Sequence, residues 1–198
     1  MNINPVRILK TRKFEDSRGW FSQTYSSKLL KELGLQDVFV QDNHSFSFDC
    51  GTIRGLHFQR PPYAQAKLVR CIAGRIFDIA VDIRRNSPTY GCWVSLEISA
   101  NNGLQIYIPT GFAHGFMTLE MNTEVIYKVT DFYSVEHESG VAWQDKSIDI
   151  TWPLLDTILP SVSEKDQNLP FLNQIDSPFE YDGLPLLSLN MERDLLCV

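Results

Sequence analysis

The stretch KLVRCIAGRIFDIAVDI, residues 67–83, decides the fold class. It reads as two short strand patterns, KLVRCI (67–72) and RIFDIAVDI (75–83), separated by a break that contains a glycine. In the second pattern Ile76, Asp78, Ala80 and Asp82 share one face and Phe77, Ile79, Val81 and Ile83 the other, which is the alternation of a half-buried strand. Further downstream, WVSLEIS (93–99), LQIYIP (104–109), HGFMTL (114–119) and TEVIYKVTDFY (123–133) repeat the type, with Gly, Pro, Asn or Ser between most of them. Short, closely spaced strands with few helical stretches predict an all-β antiparallel barrel or sandwich rather than a parallel sheet, and a jelly roll in particular. One short peripheral helix is expected in SSKLLKELGL (26–35), with Ser26 or Ser27 as N-cap and Gly34 as the stop. A capping-type turn or second short helix is expected within PSVSEKDQNLPFLNQIDSPF (160–179).

The chain has 198 residues, 43% apolar and 21% charged, and predicts a single domain over 1–198, with a tail from about residue 168 packed on the barrel. No run approaches the roughly 18 apolar residues of a membrane span. The amino-terminal stretch MNINPVRILKTRKFEDSRGWF carries no apolar core of signal-peptide type, so a cytoplasmic protein is expected. Cys50, Cys71, Cys92 and Cys197 show no C-x-x-C spacing and read as thiols. A net charge of −6 argues against a nucleic-acid partner, so an anionic ligand would need a local cluster drawn from Arg18, Arg54, Arg60, Lys67 and Arg70.

Two segments resemble the halves of a cupin, a small barrel whose inward side chains often hold a metal. In IPTGFAHGF, Pro109, Gly111 and His114 match the P-x-G-x-x-H of the second half. The first half would supply two histidines one residue apart, but LHFQ has Gln59 where the second would stand. A glutamine oxygen is a poor substitute for imidazole toward a transition metal, which predicts a barrel without metal or other cofactor. Histidines in such a pocket suit organic acid–base chemistry, because imidazole titrates near neutral pH. His57, Lys67 and Tyr127 would supply a base, a cation and a phenol for proton abstraction beside a carbonyl. From spacing alone, a buried hydrogen-bonded His57 and a core Tyr127 fit equally well.

Eight segments in order, FEDSRGWF, QDNHS, IRGLHFQ, AKLVRC, DIAVDIRRNSPTYG, IPTGFAHGF, YKVTDFYSVEHESG and SEKD, resemble the dTDP-4-dehydrorhamnose 3,5-epimerase family. The resemblance spans residues 14–166 and implies an isomerase of deoxysugar biosynthesis, of the dTDP-L-rhamnose type, that inverts carbons 3 and 5 of a dTDP-linked 4-keto-6-deoxyhexose. It implies His57 as base, Asp166 as the base's partner, Tyr127 as proton donor and Lys67 beside the keto group. It further implies substrate contacts at Arg18, Gln41, Asn43, Arg54, His114, Glu138 and Lys165, with Phe21, Tyr133 or Trp143 stacking on the base or sugar. Gln23 departs from the glutamate more usual in the family, which leaves the nucleotide open; the same N-terminal segment implies a homodimer. The competing readings are a single-carbon epimerase acting on a CDP- or GDP-linked sugar, a sugar-nucleotide-binding cupin without catalysis, and a metal-dependent cupin dioxygenase or isomerase.

Overall fold

The alternating segments pair into two sheets that face each other across an apolar interior. A computed structural model describes residues 4–154 and 159–197; positions 1–3, at the start of the amino-terminal stretch, together with 155–158 and 198, lie outside the described residues. In chain order the elements are β1 (Arg7–Lys10), β2 (Phe14–Asp16), β3 (Gly19–Phe21), α1 (Ser27–Glu32), β4 (Gln41–Ser47), β5 (Thr52–Gln59), β6 (Lys67–Ala73) and β7 (Arg75–Asp82). They continue with β8 (Trp93–Ser99), β9 (Leu104–Ile108), β10 (Phe112–Thr118), β11 (Thr123–Val129), β12 (Glu138–Gly140), β13 (Ser161–Val162), α2 (Glu164–Gln167) and β14 (Leu195–Cys197). One sheet has the order β14-β1-β9-β6-β11-β4 and the other β12-β5-β10-β7-β8, with β13 added beside β5. Their long neighbouring strands run antiparallel, while β14 joins β1 and β13 joins β5 in parallel. The crossovers within each sheet are those of the cupin-like jelly roll that the strand pattern predicts.

The interior between the sheets is filled by Val69, Ile76, Ala80, Ile98, Ile106, Phe112, Phe116 and Val125 among others. β7 departs from the half-buried expectation, because both of its faces are covered. Ile76 and Ala80 pack inside the barrel, while Ile79, Val81 and Ile83 join an outer cluster with Ile148, Trp152, Leu172 and Phe179. Asp82 is buried without facing solvent because Arg84 forks onto it at 2.9 and 2.7 Å and Ser87 and Thr89 donate to it. Strand alternation marks which residues share a face; what later packs against that face is a tertiary matter.

The outer face of the first sheet is covered by α1. Ser26 caps the helix by accepting from the Leu29 N–H at 3.3 Å, and Gly34, at φ 89°, turns the chain out of it. Leu30 and Leu35 then bury against Leu9, Leu68 and Tyr107, and the burial of Leu30 alone contributes about 2 kcal/mol. Beyond α2 the chain crosses the barrel wall. Ser177 donates to the Ile83 carbonyl, Arg84 reaches Asp182 at 2.7 Å, and Leu186 enters the interior cluster. Among the described residues no helix is long and apolar enough to cross a membrane.

Candidate active site

His57 and His114 face each other as cross-strand partners of β5 and β10. The two backbones approach so closely here that a Cβ on Gly55 would lie 2.6 Å from Gly115 Cα, and one on Gly115 would lie 2.8 Å from the Arg54 carbonyl oxygen. Glycine in R-G-L-H is therefore a packing requirement that brings both imidazoles to one wall. The opposite sheet supplies Lys67 from β6 and Tyr127 from β11. These four side chains line one cavity of about 560 Å³, within the range of small-ligand sites, together with Arg54, Tyr133, Glu138, Lys165 and Asp166.

The short helix α2 exists to present Asp166. Ser163 caps it by accepting from the Asp166 N–H at 3.1 Å, and the buried carboxylate reaches His57 Nε2 at 2.7 Å and the Gly55 N–H at 3.1 Å. Burial works to raise the Asp166 pKa, but the His57 and Gly55 hydrogen bonds outweigh it and hold the carboxyl below its ordinary value. An ionised Asp166 accepts from Nε2–H, which fixes the tautomer and leaves the lone pair on Nδ1. Tyr127 is mostly buried, and burial pushes its phenol up, so it stays protonated.

Behind His57, Lys67 Nζ donates to the His57 carbonyl at 3.3 Å and lies 3.5 Å from His114 Nδ1. His114 Nε2 in turn lies 2.9 Å from Asp78 Oδ2. At the mouth, Glu138 receives Lys165 at 2.6 Å and the Tyr133 hydroxyl at 2.9 Å. Against its own burial these two partners hold the Glu138 pKa below the ordinary value. Gln59 spends its whole amide on two adjoining loops: Nε2 donates to the Tyr63 and Phe132 carbonyls at 2.7 and 3.1 Å, and Oε1 accepts from the Ser134 N–H at 2.7 Å. A cupin metal would need this position and His114, and both are committed elsewhere, so the residues present do not fit such an ion.

The sequence of the dTDP-4-dehydrorhamnose 3,5-epimerase family matches residues 1–174. A dTDP-4-dehydrorhamnose 3,5-epimerase of Sinorhizobium fredii is 49% identical over 91% of this chain and 92% of its own. The chain belongs to the dTDP-4-dehydrorhamnose 3,5-epimerase family. It is thereby an isomerase by descent, and solved structures agree. The Legionella pneumophila dTDP-6-deoxy-D-glucose-3,5-epimerase in complex with dTDP-4-keto-L-rhamnose superposes with a TM-score of 0.86 at 40% identity, covering 91% of this chain and 98% of that one. The dTDP-4-dehydrorhamnose 3,5-epimerase of Bacillus anthracis with TDP and PPi bound gives 0.81 at 48% identity, covering 84% and 93%.

Of the residues expected at an epimerase site, His57, Lys67, Tyr127, Asp166, Arg54, His114, Tyr133, Glu138 and Lys165 do converge on the main cavity. Gln41 and Asn43 line a smaller recess of about 100 Å³ that shares His57, Lys67, Tyr127, Tyr133 and Glu138 with it. His114 differs from a plain substrate contact, since both ring nitrogens face protein groups. Three expected contacts lie elsewhere. Arg18 is exposed and paired with Asp16 at 2.7 Å, Phe21 is 69% exposed, and Gln23 lines a separate cavity of about 390 Å³ on the outer face of the first sheet. Arg18 and Phe21 stand on the β2–β3 hairpin, which pairs only with itself among the described residues, and Gln23 lies just beyond it. Trp143 is not at the cavity; it packs edge-on against Trp152, whose Nε1 donates to the Trp143 carbonyl at 2.9 Å. The sequence reading missed Asp78 as part of this group, because on an alternating strand it looked like one more polar position.

Proposed function

We propose that this protein inverts carbons 3 and 5 of a dTDP-linked 4-keto-6-deoxyhexose by two proton-transfer cycles. His57 Nδ1 removes the proton from a carbon next to the ketone, and the freed electron pair forms the enolate. Lys67 donates a hydrogen bond to the enolate oxygen, and Tyr127 returns a proton to the opposite face of the carbon. Water then restores Tyr127 and takes the proton from His57, so the sum is an isomerisation with no change in oxidation state. The observation that carries the reading is the 2.7 Å contact of His57 with Asp166 in the cavity that also holds Lys67 and Tyr127. A binding module without catalysis has no use for a base whose tautomer is fixed by a buried carboxylate. Arg54 and Lys165 at the mouth are suited to the diphosphate.

The protein acts as a homodimer in this reading. Phe14, Trp20 and Phe21 on the isolated hairpin are 51%, 58% and 69% exposed, and a two-stranded ribbon with an apolar surface is marginal until something covers it. A second copy would bring Arg18, Phe21 and Gln23 to a neighbouring site.

Proton NMR in heavy water, with dTDP-, CDP- and GDP-linked 4-keto-6-deoxy sugars compared, tests the whole reading. Deuterium is expected at both carbons of the dTDP sugar. Deuterium at one carbon only would replace the double epimerase by a single-carbon enzyme, and a strong preference for CDP or GDP would overturn the nucleotide.

A further inference from the structure

Asp78 is a carboxyl group wholly inside the barrel, on the face of β7 that carries Ile76 and Ala80. A buried carboxylate is costly unless its charge is compensated. Its contacts run in one direction. Oδ2 meets His114 Nε2 at 2.9 Å, while Oδ1 has no hydrogen-bond partner among the described residues. His114, 6% exposed, meets Lys67 Nζ through its other nitrogen at 3.5 Å.

We infer that Asp78 is a positioning residue of the reaction, which acts through His114 to hold Lys67 as an ammonium with one N–H directed into the cavity. The inference rests on the reading that places Lys67 at the keto oxygen. A neutral imidazole has one donor and one acceptor nitrogen. With Asp78 ionised, Nε2–H donates to the carboxylate and Nδ1 accepts from Lys67, and the carboxylate charge behind the imidazole favours the ammonium form of Lys67 over the amine. Of the three ammonium hydrogens, one goes to His114 and one to the His57 carbonyl, leaving the third for a ligand oxygen. If the proton moved to Asp78 instead, Lys67 would be an amine and could not oppose a developing oxyanion.

The other groups around the cavity leave Asp78 as the counter-charge. Glu138 on β12 is engaged by Lys165 and Tyr133, and Asp166 is engaged by His57. His57 and Arg54 on β5 and Tyr127 on β11 supply no negative charge at neutral pH. Burial lowers the Lys67 pKa to about 8, and the charges of Asp78 first and Glu138 second work against that fall. Burial raises Asp78 and lowers His114, and within the set His114 and Lys67 work against the rise at Asp78 while Asp78 works against the fall at His114.

The test is Asp78→Asn, which keeps the shape and removes the charge. Lysine side-chain NMR on the substrate-free protein should show the Lys67 midpoint falling by about one pH unit, and the alkaline limb of kcat should move down with it while KM changes little. An unmoved Lys67 midpoint overturns the inference. A midpoint that moves while the kcat limb stays fixed upholds the link between Asp78 and Lys67 and overturns the placement of Lys67 at the keto oxygen. Should the variant fail to fold, histidine ¹⁵N NMR of the unaltered protein decides: His114 is expected as the neutral Nε2–H tautomer, and an Nδ1–H form or an imidazolium at neutral pH overturns the inference.

Discussion

His57 and Asp166, 109 residues apart in the chain, meet at 2.7 Å, and the meeting depends on a four-residue helix laid beside β5. In the proposed mechanism the carboxylate does two jobs: it selects the nitrogen that acts as base, and it stabilises the imidazolium that forms when the base has taken a proton.

Replacing Asp166 by Asn keeps the volume and hydrogen-bonding reach but loses the charge and permits the wrong tautomer. The turnover number should fall by about a hundredfold or more, with KM little changed. His57→Asn should abolish exchange of substrate protons with solvent in a folded protein. Near-normal exchange in that variant would remove His57 from the mechanism.

Tyr127→Phe separates exchange from inversion. The base can still remove a proton and return one to the same face, so deuterium should enter the substrate while product of inverted configuration falls by about a hundredfold or more. Loss of exchange and inversion in equal measure would show that Tyr127 is needed before the proton is returned.

Lys67 couples activity and stability to pH in opposite directions. Its pKa is about 8 in the fold against an ordinary 10.5. In the proposed mechanism it is the protonated form that opposes the enolate charge, so activity should fall as pH rises through about 8. Between about 8 and 10.5 the unfolded chain holds a proton that the folded one has released, so this lysine's contribution to stability rises with pH across that interval. Thermal melts of the protein and of a Lys67→Met variant should therefore converge or cross in favour of the lysine as pH increases. A difference in melting temperature that is flat from pH 7 to 10.5 would contradict the lowered pKa.

Gln59 ties the Tyr133 segment to the barrel by two hydrogen bonds, with Phe132 and Ser134, and holds the β5–β6 loop by a third, to Tyr63. Gln59→Leu leaves the Ser134 N–H and two carbonyls to find other partners, at a cost on the order of 1–3 kcal/mol in stability, and should raise KM by loosening Tyr133. The same engagement predicts that prolonged chelation changes neither turnover nor melting temperature. Activity lost to EDTA and restored by one divalent ion would assign enolate stabilisation to a metal.

The hairpin prediction is about assembly. Charged residues at Trp20 and Phe21 together should give a folded monomer by light scattering, with strand content unchanged and nucleotide-sugar affinity reduced. A wild-type protein already monomeric at micromolar concentration would end the dimer reading.

The strands, the helix capped at Ser26 and the order of the family's segments could be read from the chain, because each is a local pattern of period, cap or spacing. The residues of the cavity wall were named by the resemblance of R-G-L-H, K-L-V-R and S-E-K-D to the family's segments, since spacing alone left His57 and Tyr127 open as core residues. What the sequence by itself determined was thus the all-β class and the chemical kinds of group available. The tertiary structure decided how those groups are used. Asp78 and Asp82 occupy equivalent places in one alternating strand, yet one lies behind Lys67 through His114 and the other is clamped by Arg84. Gln59 was legible as a missing metal ligand but not as the tie for the Tyr133 segment, and Arg18 and Phe21 stand on a hairpin, with Gln23 just beyond it, away from the cavity. The physical reason is that alternation records which side chains share a face, whereas burial, pairing and protonation depend on what distant parts of the chain bring against that face.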